Sequence, residues 1–377
     1  MKVLMLLRSP IDHDSRVKKE IRSLKKLGFS IKLLSINSSD FNETQSYTLS
    51  YKSTRRLIPG ISTIYAFFQF IAFAMRHYED EQCIHCHDLN TLVIGCFLKL
   101  TVGRNKIGLI YDTHEYAVND VPNESKFSQL RKYLVEKIFI RLADEVICVS
   151  ASIAEKYSNL YNIEIPKVVL NCPPLIDISE HDIFRKKCCK GSEVQVFLYQ
   201  GGFFEGRGIT ILAEAFASYC GTDKAIVFMG FGPLEGLVKT YADKSTNIFF
   251  QKAVSQEDLY SYTASADVGI LFYEDNCVNH QLCLPNKMFE YMMAGLPVIS
   301  SNLEEMKRLI RLNAIGTVAE DNTVSGFWRA VSSLDNDSFE EYRINVAKKR
   351  FNYTWEEQEV VLKQSYNNIM LRKLQES

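Results

Sequence analysis

Residues 284–300 constrain the fold more than any other stretch, because they predict a loop, a short helix, a turn and a strand in succession. Asn286 suits the N-cap of that helix, since its side-chain oxygen can accept from the free amide groups of the first turn. Gly295 suits the position after the helix, where a positive φ is needed, and Pro297 prevents the helix from continuing. A helix followed at once by a β-branched strand is typical of an α/β fold.

Two charged side chains stand at the start of this helix. Lys287 and Glu290 are three residues apart, so they project from one face of the first turn. A helix N-terminus and a lysine together attract phosphate, and a carboxylate can accept from ribose hydroxyls. The pattern therefore favours a nucleotide site. The alternative, an ordinary βαβ crossover with solvated charges, stays open at this point.

A glycine-rich loop provides a second phosphate-binding pattern. It occupies residues 200–208, directly after a strand predicted over residues 194–199. Gly201, Gly202 and two further glycines allow backbone amides to approach an anion closely, and Arg207 can bind phosphate through two hydrogen bonds. The loop lacks the Gly-Lys-Ser/Thr of a Walker A loop, which argues against an ATPase of that class.

Two other strand ends help to decide the class of ligand. A strand predicted over residues 225–229 ends in a glycine turn that contains Gly230 and Gly232. The first strand of the chain, over residues 2–7, is followed by a loop without Gly-x-Gly-x-x-Gly. A nicotinamide or flavin cofactor is therefore disfavoured.

In the first half of the chain, polar side chains follow two predicted strands. His114 and Glu115 come directly after a strand over residues 108–111. Open α/β sheets bind ligands just past the carboxyl ends of their strands, so His114 in particular is a candidate site residue. Asp14 and Arg16 follow the first strand and precede a helix. The simpler alternative is that Asp14 caps that helix and Arg16 is solvated.

Composition limits the remaining possibilities. With 377 residues, of which 46% are hydrophobic and 24% charged, the chain is long enough for two globular domains. A net charge of −1 gives no indication of nucleic-acid binding. Ten cysteines and an N-terminus that runs straight into a strand favour a reducing, cytoplasmic compartment. Residues 83–88 contain metal-ligand types, but alternate strand residues face opposite sides, so we expect no metal there.

Taken together, these segments resemble family 4 of the glycosyltransferases, the retaining enzymes of the GT-B fold. The segments that carry the resemblance are Asp-x-Arg from Asp14, Asp-x-His-Glu from Asp112, the glycine loop with Arg207, Gly-x-Gly-Pro from Gly230, and Pro-x-Lys-x-x-Glu-Tyr from Pro285. The last form resembles a sub-group that is frequent among bacterial polysaccharide enzymes. One position departs from the commoner pattern, because Leu282 stands where that pattern has a glutamate that touches the donor sugar.

The resemblance implies a role for each candidate residue. The residues implied in nucleotide-sugar binding are Gly201, Gly202, Arg207, Gly230, Gly232, Pro285, Asn286, Lys287 and Glu290. Catalysis would rest on His114, Arg207 and Lys287. The acceptor side would contain Asp14, Arg16 and Glu115. The family also implies no metal and no other cofactor, since the cations do the work of a metal.

The same resemblance implies an α/β architecture of two Rossmann-like domains that face a cleft. We expect an acceptor-side domain over residues 1–175 and a nucleotide-sugar domain over residues 176–355. A C-terminal helix over residues 356–377 would cross back to the first domain.

The implied reaction transfers a sugar from a nucleoside-diphosphate sugar to an acceptor hydroxyl, with retention of anomeric configuration. The expected acceptor is a growing cell-surface glycan of the lipopolysaccharide or capsule type on a lipid carrier. Two alternatives stay open. One is a nucleotide-sugar epimerase of the same fold, and the other is a non-catalytic glycan-assembly subunit, which the departure at Leu282 would favour.

An aromatic stretch over residues 57–75 raises the question of membrane contact. It is interrupted by polar residues and is flanked by Arg55, Arg56 and Arg76, so it does not have the form of a membrane span. It predicts either a buried helix or a helix that rests on an anionic membrane surface. We expect a cytoplasmic protein, with the inner face of the plasma membrane as its place of contact.

Overall fold

The computed structural model describes residues 1–50, 61–103, 106–177, 182–188 and 194–376. These residues form two compact units. Unit 1 comprises Met1–Asn119, Glu124–Val169 and Gln358–Ser377, and unit 2 comprises Asp120–Asn123 and Leu170–Glu357. Apart from the short segment Asp120–Asn123, the chain passes into unit 2 at Leu170, and the predicted boundary was residue 176.

Unit 1 is built from strands and helices that alternate along the chain. Its described strands are β1 (Lys2–Leu7), β2 (Ser30–Ile36), β3 (Gln45–Leu49), β4 (Cys83–His87), β5 (Gly108–Thr113), β6 (Glu145–Cys148) and β7 (Lys167–Val168). Its helices include α1 (Ser15–Lys26), α2 (Ile61–His77), α3 (Leu89–Val102), α4 (Lys126–Phe139) and α5 (Ala151–Tyr161).

The strands of unit 1 that the structure describes pair in parallel, in the order β3-β2-β1-β4-β5-β6-β7. The chain first winds outward from β1 to β3 and then returns to place β4 on the other side of β1. Open α/β sheets bind ligands at such a switch point. The register of β4 and β5 sets His87 beside Asp112.

The core of unit 1 follows from its sequence pattern. β1 is buried over its last five residues, as expected of a parallel strand that is covered on both faces. On α1, Val17, Ile21 and Leu24 are fully buried, and their spacing of four and three residues places them on one helical face. This face of α1 packs on the sheet and fixes the orientation of its first turn.

Unit 2 repeats the same alternation. Its described strands are β8 (Gln195–Gly202), β9 (Lys224–Phe231), β10 (Ile248–Lys252), β11 (Val268–Leu271), β12 (Val298–Ser300) and β13 (Gly316–Val318). Its described helices are α6 (Ile183–Cys188), α7 (Ile209–Ala217), α8 (Glu235–Lys244), α9 (Leu259–Thr263), α10 (Val278–Leu282), α11 (Asn286–Met293), α12 (Glu304–Asn313), α13 (Val324–Ser332) and α14 (Asn336–Lys349).

The described strands of unit 2 form a parallel sheet in the order β10-β9-β8-β11-β12-β13. Alternate residues of β8 enter two hydrophobic clusters, because successive side chains of a strand point to opposite faces. Leu198 packs in the cluster that contains Met288 of α11, and Tyr199 packs in the cluster that contains Phe216 of α7. The end of β8 is thereby fixed against the first turn of α11.

The last helix, α15 (Trp355–Glu376), contributes most of its length to unit 1. Tyr366 is fully buried, and its hydroxyl lies 2.7 Å from Nδ1 of His85. A methyl group on Gly108 would meet the side chain of Ile369 at 2.3 Å, so the helix lies directly on β5. Residues from the end of the chain thus complete the core of unit 1.

The architecture confirms the predicted fold class of two Rossmann-like α/β domains. Among the described residues, no helix is both long enough and apolar enough to cross a membrane. The helix predicted in the aromatic stretch is present as α2, whereas Arg55, Arg56 and residues 57–60 lie outside the described residues.

Candidate functional site

The helix at the predicted nucleotide site is α11, and one detail of its start was predicted wrongly. The N-cap is Pro285, not Asn286, and Asn286 is the first helical residue. The fixed ring of Pro285 holds an extended backbone, with φ −69° and ψ 143°, so the helix can begin directly after it. The side-chain oxygen of Asn286 accepts from Nδ2 of Asn171 at 2.9 Å. After the helix, Gly295 adopts a φ of 81°, as predicted.

Lys287 is a buried basic residue in the first turn of α11. It is only 7% exposed, and its Nζ lies 3.8 Å from the centre of the Tyr199 ring and 5.3 Å from that of Tyr273. Among the described residues, this nitrogen has no hydrogen-bond partner. Burial, together with the nearby charge of Arg207, holds the pKa of Lys287 well below its usual range. A bound anion would supply hydrogen bonds and restore the charge.

Arg207 places a second positive charge beside the same aromatic side chains. Its Nη1 donates to the hydroxyl of Tyr273 at 2.6 Å, and the guanidinium carbon lies 4.7 Å from the centre of that ring. Burial raises the pKa of Tyr273 to about 12, so its hydroxyl is neutral. The tyrosine orients the guanidinium without cancelling its charge.

The glycine-rich ends of β8 and β9 lie next to the lysine. Gly201 pairs with Gly230, and a methyl group on Gly230 would meet the carbonyl oxygen of Gly201 at 1.8 Å. A methyl group on Gly201 would contact Nζ of Lys287 at 3.6 Å. Gly201 and Gly232 have φ values of 115° and 147°, which residues with side chains rarely adopt. Gly202, the last residue of β8, is opposite Phe231. A ligand that binds Nζ of Lys287 can therefore also contact the backbone of Gly201.

Glu290 is oriented by a residue that the sequence did not reveal. Nε2 of Gln200 donates to Oε2 of Glu290 at 2.5 Å, and Oε1 of Gln200 accepts from the hydroxyl of Thr263 at 2.8 Å. The amide nitrogen of Gln200 donates to the hydroxyl of Tyr291 at 3.0 Å. These bonds fix the half-buried carboxylate beside the first turn of α11. The position of Gln200, as the first residue of the glycine-rich loop, is the signal that could have indicated it.

In unit 1, Arg16 is buried in a salt bridge. Its Nε and Nη2 each donate to an Asp112 oxygen at 2.9 Å, and Nη1 donates to the carbonyl of Val169 at 2.6 Å. The alternative of a solvated Arg16 is therefore wrong, because Asp112 on β5, two strands from β1 in the sheet, pairs with it. Asp14 caps α1, since its side chain accepts from the amide of Val17 at 3.0 Å. Arg16 outweighs the effect of burial and holds the pKa of Asp112 well below its usual range.

His114 lies beside this salt bridge and is partly exposed. Burial alone would lower its pKa, but the carboxylates of Asp88 and Asp112 outweigh burial and raise the pKa to about 10. The amide of His114 donates to Asp88 Oδ1 at 3.2 Å, and its Nε2 lies 3.2 Å from Nδ1 of His87. Glu115 is exposed. His114 is thus a cation that can reach solvent.

The structure brings most predicted residues together within their own units. In unit 2, the end of β8 lies beside the end of β9 and beside Lys287 in the first turn of α11, and Arg207 is near that lysine. Most of the predicted nucleotide-sugar residues lie in these segments. In unit 1, Asp14, Arg16 and His114 share one polar cluster. The roles assigned to these residues stay predictions. Leu282 is buried in α10.

Comparison with known proteins gives a match over the second half of the chain. Residues 194–337 match the family model described as glycosyl transferases group 1. The matched segment contains all strands described for unit 2 and every predicted nucleotide-sugar residue. The site built above therefore lies inside the part of the chain that resembles this family.

The chain is also similar to a curated protein, the lipopolysaccharide core biosynthesis glycosyltransferase LpsE of Rhizobium meliloti (strain 1021). The two are 26% identical over 215 residues, which is 56% of this chain and 60% of the length of LpsE.

Solved structures show the same fold over almost the full length. Sucrose-phosphate synthase from Thermosynechococcus elongatus superposes with a TM-score of 0.79 at 17% identity, over 98% of this chain and 100% of that chain. The Anabaena protein Alr3699/HepE, solved in complex with UDP and glucose, gives a TM-score of 0.72 at 13% identity, over 97% and 99% of the two chains. At these identities the likeness concerns the fold, which is that of the GT-B glycosyltransferases.

Proposed function

We propose that this protein is a glycosyltransferase that moves a sugar from a nucleoside diphosphate to an acceptor hydroxyl. The observation that carries the proposal is the buried Nζ of Lys287, which lies against Gly201 and has no hydrogen-bond partner in the described part of the chain. Together with Arg207 it suits a diphosphate, an anion with several acceptor oxygens. The match of residues 194–337 and the similarity to LpsE support the reaction class.

The transfer reaction develops negative charge that Lys287 and Arg207 can stabilise. In the transfer, the bond from the anomeric carbon to the phosphate oxygen breaks, and a bond from the acceptor oxygen to the anomeric carbon forms. The diphosphate leaves with one more negative charge, and the acceptor hydroxyl releases a proton. Lys287 and Arg207 would stabilise this developing charge, which is usually the largest single contribution to such a step. The resemblance to family 4 supports retention of anomeric configuration.

The donor would be recognised through its ribose and its diphosphate. Glu290, held by Gln200, would accept hydrogen bonds from the ribose hydroxyls. Gly201, Gly202, Gly230 and Gly232 would leave room for the phosphates. Because the Anabaena protein was solved with UDP, a uridine nucleotide is the first donor to test.

For the acceptor, we propose a lipid-linked cell-surface glycan of the lipopolysaccharide or capsule type. The description of LpsE as a lipopolysaccharide core enzyme supports this choice. His114 would donate a hydrogen bond to a sugar through Nδ1, since its side chain is 18% exposed and its Nε2 faces His87. Asp14, Arg16 and Glu115 are assigned to the acceptor side by resemblance.

A lipid-linked acceptor would require contact with a membrane, and α4 has a suitable surface. Glu136 is fully buried and accepts from the hydroxyls of Tyr111 at 2.5 Å and Tyr161 at 2.6 Å, which fixes the inward face of this helix. The outward face carries apolar side chains that are 47% to 79% exposed, namely Phe127, Leu130, Leu134 and Ile138. Ile64, Tyr65 and Phe68 of α2 are also exposed.

Basic residues accompany this apolar surface. Lys126, Arg131 and Lys137 lie on α4, and a basic residue near an anionic surface contributes about 1 kcal/mol. We propose that α4, with α2, rests on an anionic membrane at the cytoplasmic side.

Binding of the protein to liposomes should rise with anionic lipid and fall with salt, and Phe127→Ser should weaken this binding. Leu312→Ser in unit 2 removes a side chain of similar exposure and should leave liposome binding unchanged. Equal binding to neutral and anionic liposomes would refute the proposal.

The donor site is tested by nucleotide binding and by product analysis. A nucleoside diphosphate should raise the melting temperature of the protein, and Lys287→Met should lower turnover roughly 30- to 1,000-fold. Lys239→Met, which removes an exposed lysine paired with Glu235 at 2.7 Å, is the matched control. Release of nucleotide that depends on an acceptor identifies a transferase. Release without an acceptor identifies an epimerase or hydrolase, and binding without turnover identifies an assembly subunit.

We also propose that the transfer needs no metal or other cofactor, because two cations can replace a metal at the diphosphate. EDTA added together with the donor should leave the initial rate unchanged, and added Mg²⁺ or Mn²⁺ should not raise it. Loss of the initial rate with EDTA, restored by Mn²⁺, would contradict this proposal.

A further inference from the structure

Four side chains that commonly bind metals converge inside unit 1. Glu20 comes from α1, His85 and His87 from β4, and Asp112 from β5, and one ligand atom of each lies within 4.8 Å of the others. All four are buried. The two histidines are alternate residues of one strand and therefore share a face. The order of the sheet, rather than a local motif, assembles this cluster.

The polar atoms of the cluster face one another without forming hydrogen bonds. Oε2 of Glu20 lies 3.9 Å from Nε2 of His85 and 4.0 Å from Nε2 of His87. Among the residues that the structure describes, none of these three atoms has a hydrogen-bond partner. Buried polar atoms in native proteins are almost always satisfied, so three such atoms at one point indicate a ligand that bridges them.

The spacing suits a small cation. Around zinc, with bonds of about 2.0–2.1 Å, tetrahedral ligand atoms lie about 3.3–3.4 Å apart. The distance from Asp112 Oδ2 to His85 Nε2 is 3.8 Å, and those from Glu20 are 3.9 and 4.0 Å. These three distances exceed the zinc value by roughly half an ångström. All four ligand atoms lie within 4.8 Å of one another, so zinc binding would draw the more distant atoms inward by up to about 1.5 Å through rotation of their side chains.

The remaining atoms of these side chains are held as they usually are around metals. Nδ1 of His85 lies 2.7 Å from the hydroxyl of Tyr366, and Nδ1 of His87 lies 3.2 Å from Nε2 of His114. For each Nε2 to bind a metal, each Nδ1 must carry the ring proton, so the metal-bound form requires the Tyr366 hydroxyl and an unprotonated Nε2 of His114 as the acceptors. Asp112 is fixed by its two hydrogen bonds with Arg16. Such outer contacts set the tautomer and orientation of metal ligands.

We propose that Glu20, His85, His87 and Asp112 bind a zinc ion. Two imidazole nitrogens and two carboxylate oxygens form a ligand set that zinc accepts, and four buried protein ligands leave no open position for substrate. The ion is therefore structural, and it joins α1 to β4 and β5. This site is separate from the proposed diphosphate chemistry, which concerns residues of unit 2.

The experiment uses the full chain, without an affinity tag that binds metal. Elemental analysis of protein purified without chelator should find one zinc ion per chain. After the ion is removed, added Zn²⁺ at a hundredfold excess over its Kd should raise the melting temperature by about 5–10 °C. Co²⁺ in its place should show the visible absorption of a four-coordinate site.

Variants then locate the ion. Glu20→Gln and His85→Gln should lose the zinc and the stabilisation by added Zn²⁺, whereas His77→Gln on α2 should keep both. If the Glu20 and His85 variants fail to fold, zinc content and the Co²⁺ spectrum of the unaltered protein still decide. Unaltered protein that contains no metal and is not stabilised by Zn²⁺ would overturn the proposal, and so would metal that persists in folded Glu20→Gln.

Discussion

Arg16 in unit 1 and Lys287 in unit 2 are basic side chains with nearly the same exposure, 2% and 7%, but with opposite surroundings. Arg16 donates two hydrogen bonds to Asp112 and one to a backbone carbonyl. Lys287 faces aromatic rings, and its Nζ has no hydrogen-bond partner within the described chain. A buried charge is costly unless it is paired. Arg16 is paired by the fold itself, whereas Lys287 can be paired by a ligand.

The largest expected effect tests the paired cation. Arg16→Met leaves the carboxylate of Asp112 buried without its partner, so we expect the free energy of unfolding to fall by about 3–5 kcal/mol. Lys287→Met removes a desolvated cation and should leave that free energy unchanged or raise it by about 1 kcal/mol. Urea denaturation of both variants measures the two values. A loss of stability in Lys287→Met as large as that in Arg16→Met would break the comparison.

The second prediction concerns turnover. Lys287→Ala should reduce turnover by about 2–4 kcal/mol in activation free energy, roughly 30- to 1,000-fold, with a smaller effect on donor binding. The reason is that the diphosphate gains charge only as the bond to the sugar breaks. Arg207→Ala should behave in the same way, and Lys239→Met serves as the control. Steady-state kinetics measures turnover, and calorimetry measures donor binding separately. Unchanged turnover in Lys287→Ala and Arg207→Ala would mean that the donor binds elsewhere.

A smaller effect is expected for Glu290, because ribose hydroxyls do not change during the reaction. Glu290→Gln should weaken binding of both the donor and the free nucleoside diphosphate by about 1.5 kcal/mol, roughly tenfold. Turnover at saturating donor should change little. Calorimetry with the free nucleotide measures the effect. If Glu290→Gln binds nucleotide as well as the parent, the carboxylate merely stabilises its helix.

The smallest effect is a dependence of binding on pH. Since burial and Arg207 hold the pKa of Lys287 well below its usual range, and a diphosphate would raise it again, nucleotide binding should take up protons. Affinity should therefore fall as pH rises through the pKa of Lys287 in the free protein. Calorimetry in buffers of different ionisation enthalpy counts these protons. Lys287→Met should remove the uptake, and an identical uptake in that variant would assign it to another group.

The sequence predicted those parts of the site that depend on local signals. The positive φ of Gly295 and the placement of Lys287 and Glu290 in one helical turn follow from the residues themselves. Contacts that depend on strand order were not predictable. Gln200 and Thr263 are 63 positions apart, and Arg16 and Asp112 are 96 apart, so neither pair could be inferred from one segment.

His85 and His87 of β4 also make contacts that depend on strand order and could not be predicted from one segment of sequence. From strand alternation, the sequence predicts that residues 83–88 bind no metal, because not every side chain of that segment can meet at one point. It does not reveal that His85 and His87 share a face, or that Glu20 and Asp112 come from other elements to join them. A cluster assembled from three elements becomes visible only when the sheet order is known.

The terminal helix has a consequence for biosynthesis. Unit 1 includes Gln358–Ser377, whereas unit 2 is almost continuous from Leu170 to Glu357. On the ribosome, β1 to β7 emerge long before α15, which supplies Tyr366 and the cover over Gly108. Domains usually fold in their order of synthesis. Here the core of unit 1 is completed by a helix that follows unit 2 along the chain, so unit 2 can fold before unit 1 is complete.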